Sequence, residues 1–168
     1  MTAVRIATLS WLLVAGSAFA ADKPPCGLLA RPEVQAVAGA GAVKAQYIHQ
    51  ELPQRGPKGL TPIHICNWSV QETQSAVEVW VVAAPMDAKV QSAALTTLGV
   101  HGKQLEEDAQ QFGDIACWTE ALPQKLLPNS VCIGAVKGNV LKVLPKSRTA
   151  KPTTPQAKAL FDEAAAGL

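Results

Sequence analysis

Apolar residues recur with helical spacing in parts of the chain, and these parts predict helices. In the first part, Val34 and Val37 have the spacing of one buried helical face, and Gly39 provides a stop. A similar pattern precedes Gly99, and a third covers the C-terminal tail. The predicted helices begin at Pro32, cover residues 85–99 and cover Thr154–Ala166.

In other parts of the chain, apolar and polar residues alternate, and this pattern predicts β-strands. Val77, Val79 and Val81 alternate with Glu78 and Trp80, which places the three valines on one face of a strand. The predicted strands cover residues 43–52, 63–70, 75–84, 114–122, 129–137 and 140–145.

The last two strands have the strongest local turn signal. Gly138-Asn139 predicts a two-residue hairpin turn, which would pair Lys137 with Val140. The resulting order is helix, three strands, helix, three strands, helix. We therefore expect an α+β fold, a twisted and mainly antiparallel sheet of about six strands with helices packed on it.

The N-terminus has the pattern of a signal peptide, and residues 1–20 are expected to be cleaved. Arg5 precedes an apolar run over residues 6–15, and residues 18–20 (Ala-Phe-Ala) form a small-x-small cleavage site. The apolar run is shorter than the roughly 20 residues needed to span a bilayer. We expect residues 21–168 to form a single domain, exported to the bacterial periplasm or the medium.

Cys26 follows the predicted cleavage site closely enough to raise the question of lipidation. A lipobox needs an aliphatic residue and then two small residues directly before the cysteine. Lys23-Pro24-Pro25 does not provide them. We therefore expect no lipid anchor, and no membrane attachment through this residue.

The four cysteines form an even set, which in an exported chain predicts disulfides. Cys117 and Cys132 lie in strand-like segments close in sequence, so they are expected to pair, which leaves Cys26 with Cys66. A zinc site would usually contain C-x-x-C pairs, and the chain has none. A catalytic thiol is the other alternative, since His64 lies two residues before Cys66 on the same strand face.

The charge of the chain gives no general attraction for nucleic acid or membranes. Without residues 1–20, fourteen Lys and Arg residues stand against thirteen Asp and Glu residues, a net charge of +1. Basic residues without an intervening acid fill one C-terminal stretch, which indicates either a solvated edge that discourages strand pairing or a docking surface for an acidic partner. This stretch contains Lys137, Lys142, Lys146, Arg148, Lys151 and Lys158.

No catalytic or cofactor motif is present in the sequence, and we expect a protein that is not an enzyme and holds no cofactor. The chain has no H-E-x-x-H, no G-x-S-x-G, no phosphate-binding glycine loop and no EF-hand spacing. His49, His64 and His101 are candidate metal ligands if the fold brings them together. The acidic residues 106–108 with His101 offer a hydrolytic alternative.

Several short motifs together resemble a family of secreted bacterial domains of unknown function that is common among actinobacterial lipoproteins. They are "CGLL" entering "RPEVQAVAG", then "CNW", "FGDIACW" and "VCIGAVKGNVLKV" before a terminal helix. The resemblance covers nearly all of residues 21–168, and it implies a sheet-and-helix fold like that of the photosystem PsbP proteins. The chain departs from the pattern in lacking a lipobox, and the family offers no catalytic residues to transfer.

These observations favour an exported, non-enzymatic periplasmic binding protein whose partner is another exported protein, as in an inhibitor or an immunity protein. A metal- or small-ligand-binding accessory protein of the envelope is the alternative. Long polar loops are the expected contact surfaces, at residues 54–60 and 100–112. Trp68, Trp80 and Trp118 are expected in the core or beside a disulfide, or else as exposed anchors.

Overall fold

The computed structural model of the chain describes residues 25–53, 60–83, 109–120, 129–148 and 150–168. After a single 3₁₀ turn, Pro25–Gly27, the described part consists of two α-helices and seven β-strands. These are α1 (Arg31–Ala38), β1 (Val43–Pro53), β2 (Leu60–Val70), β3 (Ser75–Ala83), β4 (Gln110–Phe112), β5 (Ile115–Glu120), β6 (Asn129–Val136), β7 (Asn139–Lys146) and α2 (Thr154–Gly167).

All seven strands belong to one sheet in the order β1-β2-β3-β7-β6-β5-β4, and every neighbouring pair is antiparallel. The α+β class and the antiparallel sheet are as predicted. The strand count of about six was wrong, because β4 lies in a stretch expected to be a polar connector. In chain order, the described elements are one helix, three strands, four further strands after the undescribed residues 84–108, and one helix. The helix predicted over residues 85–99 lies outside the described residues.

The two faces of the sheet carry separate apolar clusters, because successive strand residues point to opposite faces. On the helix side, α1 and α2 pack on strand residues that include Cys66, Val79 and Val143. On the far side, a second cluster contains Ile63, Val82 and other buried residues. Both faces are therefore buried over the centre of the sheet.

Helix α1 begins one residue before the predicted start at Pro32 and ends at the predicted stop, Gly39. The Glu33 carboxylate accepts a hydrogen bond from the Ala30 backbone N–H, which would otherwise have no partner at the start of the helix. Gly39 ends the helix at φ = 91°, a left-handed conformation that favours glycine. A Cβ on Gly39 would also lie 2.7 Å from Cγ2 of Thr73, so only glycine fits here.

Helix α2 is stabilised by a capping box at its N-terminus and by burial of its apolar face against the sheet. The Thr153 N–H donates to Gln156 Oε1 at 2.9 Å, and the Gln156 N–H donates back to Thr153 Oγ1 at 3.4 Å. Phe161 and Leu160 lie among the residues buried against the sheet. The C-terminal helix predicted over Thr154–Ala166 is confirmed, with an end one residue later.

The β6–β7 hairpin has a register that differs from the predicted one. It turns at Lys137-Gly138, so that Val136 pairs with Asn139, and the predicted pairing of Lys137 with Val140 was wrong. Both turn residues have positive φ, 47° and 75°, as type I′ turns require. Moving the turn by one residue changes the pairing by two positions and leaves every side chain on the same face. Apolar alternation therefore could not distinguish the two registers.

Both predicted disulfides are present. Cys117 and Cys132 lie directly opposite each other on β5 and β6, with their Cα atoms 4.2 Å apart. Cys26 is bonded to Cys66 on β2, which ties the 3₁₀ turn before α1 to the sheet. Of the four cysteines, none is free, so neither the zinc nor the catalytic-thiol alternative describes them. In the described part of the chain, no helix is both long and apolar enough to cross a membrane.

Candidate functional site

Strand β1 is an edge of the sheet, and its side chains are exposed on both faces. From Lys44 to Glu51 every side chain except that of Ile48 is exposed, and Tyr47 retains 48% of its accessible surface. None of the described residues pairs with the outer side of this strand. A row of backbone N–H and C=O groups therefore faces outward along β1.

The hairpin of β1 and β2 continues beyond its neighbour β3. The register of β1 and β2 runs from Val43 opposite Val70 to Pro53 opposite Leu60. The pairing of β2 with β3 ends at His64 opposite Val81. Among the described residues, the part of β2 before His64 therefore does not pair with β3.

Three ring side chains meet on the helix side of this hairpin, and we call Tyr47, His49 and His64 the histidine–tyrosine cluster. Strand alternation places Tyr47 and His49 on one face, and the register places His49 directly opposite His64. The two imidazole rings are stacked, with centroids 5.1 Å apart and planes inclined by 14°. The Tyr47 hydroxyl lies 2.6 Å from His64 Nδ1.

The position of His64 keeps its imidazole neutral. Partial burial, and secondarily the neighbouring His49, lower the pKa of His64 below its usual value of 6.5. In a neutral imidazole one ring nitrogen donates and the other accepts, so the hydrogen bond with Tyr47 governs which nitrogen carries the proton. The cluster therefore offers an uncharged nitrogen ligand at neutral pH.

Two of the three candidate metal ligands are therefore brought together by the fold. The third, His101, lies outside the described residues, as do the acidic residues 106–108 of the hydrolytic alternative. Within the described ranges, no group of three or more His, Cys, Asp or Glu side chains is placed to hold a metal ion.

Three lysines of the basic C-terminal stretch lie beside acids or within the sheet. The ammonium of Lys146 lies 2.6 Å from the Glu78 carboxylate, and that of Lys158 lies 2.7 Å from the Asp162 carboxylate. Lys142 is 8% exposed. These lysines compensate individual acids or lie in the sheet, which argues against a shared role in attracting an acidic partner.

A polar group on the far side of the sheet was not predicted from the sequence. Glu78 accepts a hydrogen bond from Trp80 Nε1 at 3.1 Å, and the Lys142 ammonium lies 5.2 Å from the centroid of the Trp80 ring. The Lys146 ammonium also forms an ion pair with the Glu78 carboxylate. Alternation on β3 and β7 could have placed them on one face, but their contacts depend on the β3–β7 register.

The tryptophans and the expected contact loops are placed as follows. Trp68 and Trp118 are 3% and 8% exposed, which confirms them as core residues. Most of the expected contact loops, residues 54–60 and 100–112, lies outside the described residues. At the end of the second loop, Phe112 belongs to β4 and is 41% exposed.

The two strongest candidate sites are the outer edge of β1 and the histidine–tyrosine cluster. Both lie on the same hairpin, and both present groups that the rest of the described fold does not use. Their interpretation rests on the geometry of this chain, because no protein-family model, no curated protein and no solved structure matches it.

Proposed function

We propose that the protein is an exported, non-enzymatic binding protein that pairs with an extended segment of another exported protein along β1. The observation that carries this proposal is the outward-facing backbone of an eleven-residue edge strand. An extended peptide that adds to a sheet edge gains main-chain hydrogen bonds, while alternate side chains determine specificity.

The composition of β1 favours pairing with another strand, because most features that protect an edge strand from such pairing are missing from its centre. Edge strands are usually kept from pairing by lysine, proline, bulges or short length. In β1 the lysine and the proline, Lys44 and Pro53, lie at the two ends. The other edge strand, β4, has only three residues, which is the usual protected form. The two edges of the sheet therefore differ in their capacity to accept a partner.

The side chains of β1 indicate what the partner segment would look like. Tyr47 and His49 present exposed rings on one face, and Ile48 presents a half-buried apolar surface on the other. Lys44 and Glu51 give the strand opposite charges at its two ends. An antiparallel partner with an acidic residue opposite Lys44 and a basic residue opposite Glu51 would complement this pattern.

The rest of the fold supports a binding role. Two disulfides and a core on each face hold the sheet in one arrangement before the partner arrives. A rigid edge loses little conformational entropy on binding, which strengthens association. An inhibitor or an immunity protein in the periplasm would use such a surface, and the signal-peptide pattern of residues 1–20 supports that compartment.

The experiment is capture of the partner from envelope extract by the immobilised, disulfide-bonded protein, followed by hydrogen exchange on the purified complex. Gln46→Lys and Gln50→Lys add positive charge to the middle of β1 and are expected to reduce recovery of the partner. Gln110→Lys makes the same change on β4 and is the matched control. Binding should slow amide exchange between Lys44 and Glu51.

Three results would contradict the proposal. Equal recovery by the β1 variants and by wild type would place the contact elsewhere. Unchanged exchange along β1 in the complex would exclude strand addition. Self-association that Gln46→Lys abolishes, seen by sedimentation of the pure protein, would replace the foreign partner with a second copy of this chain.

A further inference from the structure

We infer that His49 and His64 together bind a divalent transition-metal ion, Cu²⁺ in preference to Zn²⁺. The basis is the direct opposition of two imidazoles on adjacent strands, a juxtaposition that the binding of a protein along the β1 backbone does not require. The inference is therefore independent of the proposed function, although both concern the same hairpin.

The spacing of the two rings suits one shared ion. Metal–nitrogen bonds of about 2.0–2.1 Å place the ring centroids of two imidazoles about 4.5 Å apart at adjacent corners of a square-planar ion and about 5 Å apart on a tetrahedral one. The centroids of His49 and His64 are 5.1 Å apart. Chelation requires the rings to turn from their stacked orientation, which the exposure of His49 allows.

Tyr47 is placed to orient His64 for the ion. When a metal occupies Nε2 of a histidine, the remaining proton lies on Nδ1 and is usually donated to a neighbouring acceptor. The Tyr47 oxygen lies 2.6 Å from His64 Nδ1 and can accept this hydrogen bond. Tyr47 is thus a positioning residue, and it fixes which nitrogen of His64 is available.

The ligand type determines the class of metal. Imidazole nitrogens suit copper, zinc and nickel, and affinity for such ligands is higher for Cu²⁺ than for Zn²⁺. Water is expected to fill the remaining coordination positions, because the described residues bring no third His, Cys, Asp or Glu to the pair.

The experiment is calorimetric titration of the metal-free, disulfide-bonded chain with CuCl₂ and with ZnCl₂ at pH 7. We expect one Cu²⁺ per chain, bound more tightly than Zn²⁺, with an electron paramagnetic resonance spectrum showing two nitrogen ligands. His49→Ala and His64→Ala should each abolish this site. Tyr47→Phe should weaken it by about 10–100-fold, as loss of an orienting hydrogen bond does in other metal sites.

Gln46→Ala is the control, since Gln46 lies on the opposite face of β1 from His49, and it should bind Cu²⁺ as wild type does. Circular dichroism and urea unfolding will show that each variant is folded. Absence of Cu²⁺ binding by wild type overturns the inference, and so does binding that survives both His49→Ala and His64→Ala. Binding that depends on His101 alone also overturns it.

Discussion

Removal of each disulfide in turn gives the most direct test of how the fold is held together. The double variants Cys26→Ala/Cys66→Ala and Cys117→Ala/Cys132→Ala remove one bridge each and leave no unpaired thiol. The first bridge connects residues 40 positions apart and the second connects residues 15 positions apart. Because a longer closed loop restricts the unfolded chain more, we expect the first removal to cost more free energy.

The chain-entropy relation gives the size of each effect. A loop of 15 residues corresponds to about 3 kcal/mol at 25 °C, and one of 40 residues corresponds to about 4 kcal/mol. Either value is a large part of the roughly 5–15 kcal/mol by which proteins of this size are stable. The two bridges also differ in what they hold. Cys26–Cys66 ties the segment before α1 to β2, whereas Cys117–Cys132 joins two strands that already pair.

Urea unfolding measures the two losses, and amide hydrogen exchange shows where each occurs. The variant without Cys26–Cys66 should have the lower unfolding free energy and faster exchange in α1. The variant without Cys117–Cys132 should leave exchange in α1 unchanged. A larger loss for the second variant, or protected α1 amides in the first, would refute the reasoning that loop length and tethering determine these contributions.

Three further variants test other parts of the fold. Phe161→Ala should destabilise the protein by about 3–5 kcal/mol in urea unfolding, because the Phe161 side chain is fully buried against the sheet; a loss below 1 kcal/mol would contradict its packing. Thr153→Ala should lower the unfolding free energy by about 1 kcal/mol by removing the cap of α2, and Thr154→Ala, one residue inside the helix, should cost less. Glu72→Gln should reduce the dependence of stability on pH. Hydrogen bonds from the backbone N–H groups of Glu72 and Ala42 lower the Glu72 pKa below 4.5, so the carboxylate stabilises the neutral-pH fold, and that contribution is lost as pH falls through the folded-state pKa. Urea midpoints at pH 7 and pH 3 should therefore differ more for wild type than for the variant, and equal differences would contradict this.

The disulfides could be predicted from the sequence because their determinants are local. Cys117 and Cys132 lie in short strand-like segments, and two strands close in sequence commonly pair. Once these two were assigned, the even number of cysteines left Cys26 with Cys66. The same locality explains why the limits of α1 and α2 were predicted closely, since Gly39 and the Thr153 capping box lie in the sequence next to the helices that they bound.

Features that depend on register or on very short strands were not predictable in the same way. β4 has three exposed residues and therefore no apolar alternation to mark it. The predicted position of the β6–β7 turn was wrong by one residue, because both registers keep the same side chains on the inward face and apolar alternation cannot distinguish them. The meeting of His49 and His64 depends on the β1–β2 register over 11 residue pairs, which strand alternation alone does not determine.

The two proposed activities of the β1–β2 hairpin can be separated through residues that only one of them uses. Partner binding uses the outward backbone of β1, while metal binding uses imidazoles on its helix side. Gln46 and Gln50 lie on the opposite face from His49, as alternate positions on a strand must.

Gln46→Lys should therefore lower partner recovery and leave Cu²⁺ affinity unchanged, whereas His64→Ala should abolish Cu²⁺ binding and leave partner recovery unchanged in metal-free buffer. If both variants lost both activities, the hairpin itself would be disordered by the substitutions, and amide exchange across β2 would show it. If His64→Ala lost the partner while β2 remained protected, the imidazole would be part of the protein contact, and independence of the two sites would be wrong.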